Sequence, residues 1–356
     1  MSHSSRDNSQ RNHQFDLLRI FFATFVLLAH APELTDGNQK RELFVRLTHA
    51  PITFGGVGVN GFFLLSGFLI VKSWQQNPDL LNFLRNRFLR IVPGYLVAAF
   101  LSTLIVGLLA PGIAHFFRHI DIHCIKSILV LSSPATPPVL PGLPHPLVNG
   151  ALWTIQYEVR CYILVALYGI CGLFRRPAIW LGTTVLLLLS TITPALTSHF
   201  HWSKVLYPIL GDPAQVFRLT AIYFVGGCFF LFRQQIRFRP HFAFVACAIL
   251  LCIRTFNPSY IEMIFTVFGG YLMFYFGQMS LKSIQWMKNF PDISYGIYIY
   301  GWPVLSLWIW YRHGSPWVAF LGSTAISFGL GWMSWHFIER PMLTLKRKNA
   351  APLPLL

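Results

Sequence analysis

The 356-residue sequence predicts an all-α protein, a polytopic transmembrane bundle of about ten helices with both termini cytoplasmic. Three observations carry that expectation. Hydrophobic residues make up 54% of the chain and charged residues only 11%, where a soluble domain carries about a quarter charged. The mean hydropathy of +0.53 is concentrated in long apolar stretches separated by short polar ones. Lysine and arginine also gather in alternate connections, as the positive-inside rule requires of a membrane protein.

The apolar stretches fall in order near residues 15–34, 54–74, 88–110, 150–173, 177–197, 216–232, 241–254, 260–280, 293–311 and 316–337. The first follows a polar leader, 1-14, with no small-residue cleavage site before it, so it should remain as an anchor. The second is rich in glycine (Gly55, Gly56, Gly58, Gly61, Gly67), which permits close helix approach. A turn carrying Arg85, Arg87 and Arg90 leads into the third and places Arg87 and Arg90 on one helical face. The seventh stretch is the shortest, and Ile125 to Ser132 reads as a re-entrant or interfacial piece. Between the third and fourth, Pro134, Pro137, Pro138, Pro141, Pro144 and Pro146 predict an extended, stiff loop, either a cover for the outer mouth or an inert spacer. One membrane domain, 15-341, and a short basic tail, 342-356, complete the division.

A formal net charge of +16 raises the question of nucleic acid, and the distribution of the charges answers it. With the amino terminus inside, Lys72, Arg85, Arg87, Arg90, Arg175, Arg176, Arg233, Arg237, Arg239 and the tail lysines all fall on the cytoplasmic side. No solvated face interleaves basic and aromatic residues, so no nucleic-acid partner is expected; the lipid bilayer is the partner implied. Of the six cysteines, only Cys124 falls clearly in a loop, and neither a disulfide framework nor a Cys-x-x-Cys metal site is supported. His115, His119 and His123 recur at helical spacing near Asp121 and Cys124, but a metal site is the weaker reading there, and weaker still for His199 and His201.

Ionisable residues inside apolar stretches are candidates for function. Arg19 and His30 share the first stretch, and eleven steps of about 100° return them to within about 20° of one face. They would stand about 16 Å apart along the axis, about half a bilayer core. Glu158, in Leu152-Trp-Thr-Ile-Gln-Tyr-Glu158, has Tyr162 at i+4, while Trp153 and Tyr157 form another such pair. A structural ion pair with an arginine from another helix is the alternative role for Glu158. Arg85, Arg87 and Arg90 are either ordinary cytoplasmic anchors or a grip on phosphates.

Arg19 with ten residues before His30, the Gly-Val-x-x-Phe-Phe-x-x-Ser-Gly-Phe stretch ending at Phe68, and Arg90-Ile-Val-Pro93 together resemble the acyltransferase type 3 family. So do Leu152 to Glu158, Ser294-Tyr-Gly-Ile-Tyr298 and Phe337-Ile-Glu-Arg-Pro341, in family order from Phe15 to Pro341. The resemblance implies a membrane O-acyltransferase that moves acetyl from acetyl-CoA to a hydroxyl of a cell-surface or lipid-linked polysaccharide, in the bacterial inner membrane. Acetyl-CoA, or another acyl-CoA, is then a substrate, and no bound cofactor is implied. His30 becomes the general base, with Arg19 and Glu158 beside it as catalytic candidates. Arg85, Arg87, Arg90, Ser66 and Tyr298 become candidates for holding the donor, and Glu339 either matches a motif position or caps the last helix. Two departures stand out: Asn60 occupies a place where the family often has Asp, and Gly301 one where it often has His. A transporter or flippase of a polar glycan or acyl metabolite is the alternative, since such a protein also uses buried charges as a pathway. The absence of a Gly-x-Ser-x-Gly elbow favours direct transfer over a serine acyl-enzyme.

Overall fold

A computed structural model describes residues 13–48, 52–109, 122–192, 202–203, 206–279 and 290–345. Both chain termini, His115, His119, Asp121, His199 and His201 lie outside the described residues. Every described element is helical, with no strand among the described residues. The chain runs through α1 (His13–Asp36), α2 (Leu43–Thr48), α3 (Phe54–Gln76), α4 (Leu80–Leu109) and α5 (Ile122–Leu129). It continues through α6 (Ile155–Ile170), α7 (Pro177–Ile192), α8 (Leu206–Leu210), α9 (Pro213–Leu231) and α10 (Pro240–Leu251). Last come α11 (Pro258–Gln278, with a π-helical turn at Phe265–Gly269), α12 (Ser294–Arg312) and α13 (Pro316–Ser334). A second π-helical turn (Trp335–Glu339) joins α13 to α14 (Arg340–Leu345).

Each apolar stretch of the sequence coincides with a helix, but among the described residues five helices (α1, α3, α4, α9 and α11) are long and apolar enough to cross a membrane by length and composition. Two more, α7 and α10, are apolar but shorter. Local chemistry sets the ends. The Asp212 side chain accepts from Gln215 N ahead of Pro213, and the Asn257 and Ser315 side chains cap the starts at Pro258 and Pro316 in the same way. Gly37, at φ 68°, and Gly172, at φ 65°, follow α1 and α6, in the left-handed conformation that glycine adopts without strain.

Two expectations need correction. Arg85, Arg87 and Arg90 do not form a turn before a helix. The Asp79 side chain accepts from Asn82 N at 2.6 Å, so α4 begins at Leu80 and carries all three arginines. Cys124 is not in a loop but buried on α5.

The centre of the bundle is the contact of α3 with α9, which only glycine allows. A Cβ on Gly67 would overlap the Tyr223 carbonyl, and one on Gly226 would overlap the Leu64 carbonyl. On the other face of α3, Gly58 sits so close to α1 that a Cβ would stand 2.6 Å from the Phe22 carbonyl oxygen. Trp180 of α7 stacks on Phe224 of α9 with ring centroids 3.9 Å apart and donates to its carbonyl at 2.9 Å. The start of α3 is held from outside the bundle by Glu42. Its buried carboxylate accepts from Val45 N at 3.0 Å and Phe54 N at 3.2 Å, while burial pushes its pKa above the usual carboxylate range.

Candidate functional site

Because α1 packs against both α3 and α12, Arg19 and His30 face two separate cavities. Each has a volume of about 310 Å³. Arg19, Ser66, Arg87, Arg90, Glu158 and Tyr162 line the first; His30, Glu33, Gln39, Trp153, Arg218 and Trp302 line the second. Val59 of α3 and Tyr298 of α12 belong to both walls. The two cavities therefore stand back to back, and those two side chains form the partition.

In the first cavity the charges are unequally committed. The Asp292 Oδ2 atom accepts from Arg90 Nη2 at 2.5 Å and from Arg19 Nη1 at 3.2 Å. Arg90 Nη1 also reaches Glu339 at 3.4 Å, and Arg19 Nη1 reaches Asp16 at 3.5 Å. Arg87 has no ion pair among the described residues. Its guanidinium lies 5.9 Å from the centre of the Phe83 ring, and its Nε is buried without a hydrogen-bond partner. A buried donor left unsatisfied costs about 1–3 kcal/mol, so Arg87 is poised for an anion. Arg85, by contrast, bonds to the Leu345 carbonyl at 3.0 Å and does not line the cavity. The basic tail thus begins as a helix held against α4.

Glu158 accepts from Tyr162 Oη at 2.5 Å and from Ser66 Oγ at 2.9 Å, as the i,i+4 spacing anticipated for the tyrosine. It faces the first cavity and not His30. The Trp153 and Tyr157 rings do meet edge to face, with centroids 5.6 Å apart. Tyr298 donates to the Ala151 carbonyl at 2.8 Å, so Thr154 is the donor in the 2.6 Å contact between their hydroxyls. Those bonds fix Tyr298 as a rigid wall. Glu339 is buried and also accepts from Ser334 Oγ at 3.3 Å, so it braces the end of α13 as well as Arg90.

In the second cavity His30 Nδ1 lies 2.7 Å from Glu33 Oε2, and Gln39 Nε2 donates to Glu33 Oε1 at 2.8 Å. A carboxylate on Nδ1 favours the tautomer with its proton there, which leaves Nε2 as a proton acceptor. Trp302 packs edge-on against the imidazole at 4.6 Å, beside Gly301. The proline-rich segment returns here too, with His145 Nε2 3.9 Å from Glu33 Oε1 and the Leu147 carbonyl accepting from Trp302 Nε1 at 3.2 Å. On the far wall Arg218 Nε donates to Glu262 Oε1 at 2.9 Å and its Nη2 to Asn60 Oδ1 at 2.8 Å, while Asn60 Nδ2 donates to Glu262 at 2.9 Å. The carboxylate missing at position 60 is thus supplied by α11.

Sequence reasoning missed Glu33, Asp292, Arg218 and Glu262. Only Glu33 had a clear signal, since His30 and Glu33 stand at i,i+3 on one helix. Among the described residues no cluster of His, Cys, Asp and Glu is arranged to hold a metal ion.

The sequence matches the acyltransferase domain family over residues 12–336. It is 26% identical over 337 residues to the O-acetyl transferase of Shigella phage Sf6, covering 93% of this chain and 96% of that one. Nodulation protein 10 of Rhizobium leguminosarum bv. viciae is 25% identical over 392 residues, with 99% and 98% covered. Peptidoglycan O-acetyltransferase OatA of Listeria monocytogenes is 26% identical over 358 residues, but this chain spans only about half of its length, 52%. No solved structure matches.

Proposed function

Because the chain belongs to the acyltransferase domain family, and is therefore an acyltransferase, we propose that it moves acetyl from acetyl-CoA to a hydroxyl of a surface or lipid-linked glycan. The observation that carries this reading is the pair of back-to-back cavities, one with an arginine whose buried Nε has no hydrogen-bond partner and one with an oriented histidine, divided by Val59 and Tyr298. In this reading all ten long apolar segments cross or enter the bacterial cytoplasmic membrane with both termini inside. The arginine cavity then opens to the cytoplasm and the histidine cavity to the exterior.

The chemistry follows from the residues. Donor phosphates meet Arg87, with Arg19 and Arg90 beside it, and the thioester points toward the partition. The acceptor enters from the other side with its hydroxyl at His30. His30 Nε2 takes the hydroxyl proton as the oxygen bonds to the acetyl carbon. The carbon–sulfur bond breaks, its electron pair leaves on the sulfur of coenzyme A, and the thiolate takes a proton from the cytoplasmic side. Glu33 stabilises the imidazolium that forms. The step needs no covalent acyl-enzyme, and the Shigella phage and Listeria relatives are named for O-acetyl transfer.

The test is transfer of label from acetyl-CoA in membranes containing the wild type or His30→Ala, together with mass analysis of surface glycans. Loss of label at equal protein level supports the reading. Unchanged incorporation overturns His30 as base, and movement of unmodified glycan without acylation would make the protein a transporter.

A further inference from the structure

Asp292 precedes the Ser294 to Tyr298 motif, is 4% exposed, and does not line either cavity. Its two oxygens nevertheless organise three side chains of the first cavity. Oδ2 accepts from Arg90 of α4 and Arg19 of α1, and Oδ1 accepts from Ser294 at the start of α12 at 2.6 Å. Without a shared anion, two guanidinium groups on separate helices would repel each other across a low-dielectric cavity. With it, each is fixed in direction and still has N–H groups to spare. Both contacts of Arg19 run through Nη1, which leaves Nε and Nη2 outside them, and Arg90 spends Nη1 and Nη2 on Glu339 and Asp292.

The charges explain why one carboxylate must be shared. Asp16, Asp292 and Glu339 face Arg19 and Arg90, so both guanidinium groups are already paired with carboxyl groups. A polyanionic donor gains nothing from such a set as a bulk positive field, and its attraction must come from Arg87 and from N–H groups aimed in fixed directions. Direction is what Asp292 controls.

We propose that Asp292 is the positioning residue of the donor site, a carboxylate that touches no substrate but sets where Arg19 and Arg90 present their guanidinium groups to the donor's phosphates. The proposal rests on the first cavity being the acetyl-CoA site. It accounts for the placement of an aspartate immediately before α12, where one side chain ties α1, α4 and α12 together behind the cavity lining.

The experiment measures acetyl-CoA binding and steady-state transfer with the full chain in lipid nanodiscs, for the wild type, Asp292→Asn and Asp292→Glu, alongside thermal unfolding without ligand. Asp16→Asn is the control, because it removes a carboxylate that pairs with Arg19 in the same network while leaving both Asp292 contacts in place. Asp292→Glu keeps the charge and moves it by one methylene. It should weaken acetyl-CoA binding and raise its KM about tenfold, with kcat and unfolding temperature near wild type. Asp292→Asn should weaken binding further, and Asp16→Asn by no more than about threefold. Wild-type affinity in a folded Asp292→Glu or Asp292→Asn protein overturns the proposal, as does a fall in unfolding temperature with KM unchanged. If the wild type itself does not bind acetyl-CoA, the assignment of the donor fails instead. The wild-type measurement therefore separates the two failures.

Discussion

His30 Nδ1 and Glu33 Oε2 stand 2.7 Å apart, one turn from each other on α1, and Gln39 holds the second carboxylate oxygen at 2.8 Å. The carboxylate sits against Nδ1, so its contribution through the ring is to hold the tautomer and to stabilise the imidazolium. Glu33→Gln should lower kcat by about 10²- to 10³-fold while the acetyl-CoA KM stays near wild type. His30→Ala should cost at least as much. Initial rates of labelled acetyl transfer check both, and an unchanged kcat in Glu33→Gln would remove the dyad from the mechanism.

Arg85 and Arg87 are two residues apart and should behave differently. Arg87 faces the first cavity with an unpartnered Nε, whereas Arg85 turns away to the Leu345 carbonyl. Arg87→Ala should raise the acetyl-CoA KM about tenfold or more, the value of one lost charge-assisted contact. Arg85→Ala should leave it within about twofold. Saturation curves for the two variants decide the matter, and equal effects would mean that the arginines act only as a diffuse positive field.

The α3 and α9 backbones meet at Gly67 and Gly226, where an added methyl collides with a carbonyl that cannot swing aside. Gly67→Ala or Gly226→Ala should each destabilise the fold by about 1–3 kcal/mol or more through forced backbone separation. Gly182 of α7 is the control, since a Cβ there meets nothing within 4 Å and alanine should be neutral or slightly stabilising, by about 0.5–1 kcal/mol. Thermal unfolding in one detergent ranks the three. Equal melting temperatures would mean that the helices separate at little cost.

How much of this was legible depends on whether a signal is local. Glu158 with Tyr162 and Trp153 with Tyr157 were readable because helical spacing alone fixes which side chains share a face, whereas Arg19 and His30, at similar spacing, line two different cavities. The glycines of α3 announced a close approach, but not that α9 was the partner. Asp292 bonds to Arg19 from 273 residues away and to Arg90 from 202 residues away, and Asn60 bonds to Glu262 across another 202. Nothing in a linear period encodes such meetings. The start of α4 was missed for a smaller reason: Asn82 to Arg90 is polar enough to read as a turn, yet the Asp79 cap makes it the first turns of the helix.

Asn60 offers the strictest check on the second cavity, because its amide both donates to Glu262 and accepts from Arg218. Asn60→Asp replaces the donor with a second carboxylate 2.9 Å from the first, and the two must share one guanidinium. Like charges at that distance repel, so Arg218 should lose its place on the cavity wall and acetyl transfer should fall about tenfold. Adding Glu262→Gln returns one carboxylate and one amide to the same three-way contact with their positions exchanged. The double variant should recover to within about threefold of wild type, although Glu262→Gln alone leaves Arg218 without a carboxylate and should also be impaired. Transfer rates for the four proteins form a double-mutant cycle. Additive losses would mean that Arg218 is held by the surrounding helices and that position 60 does not govern the acceptor side.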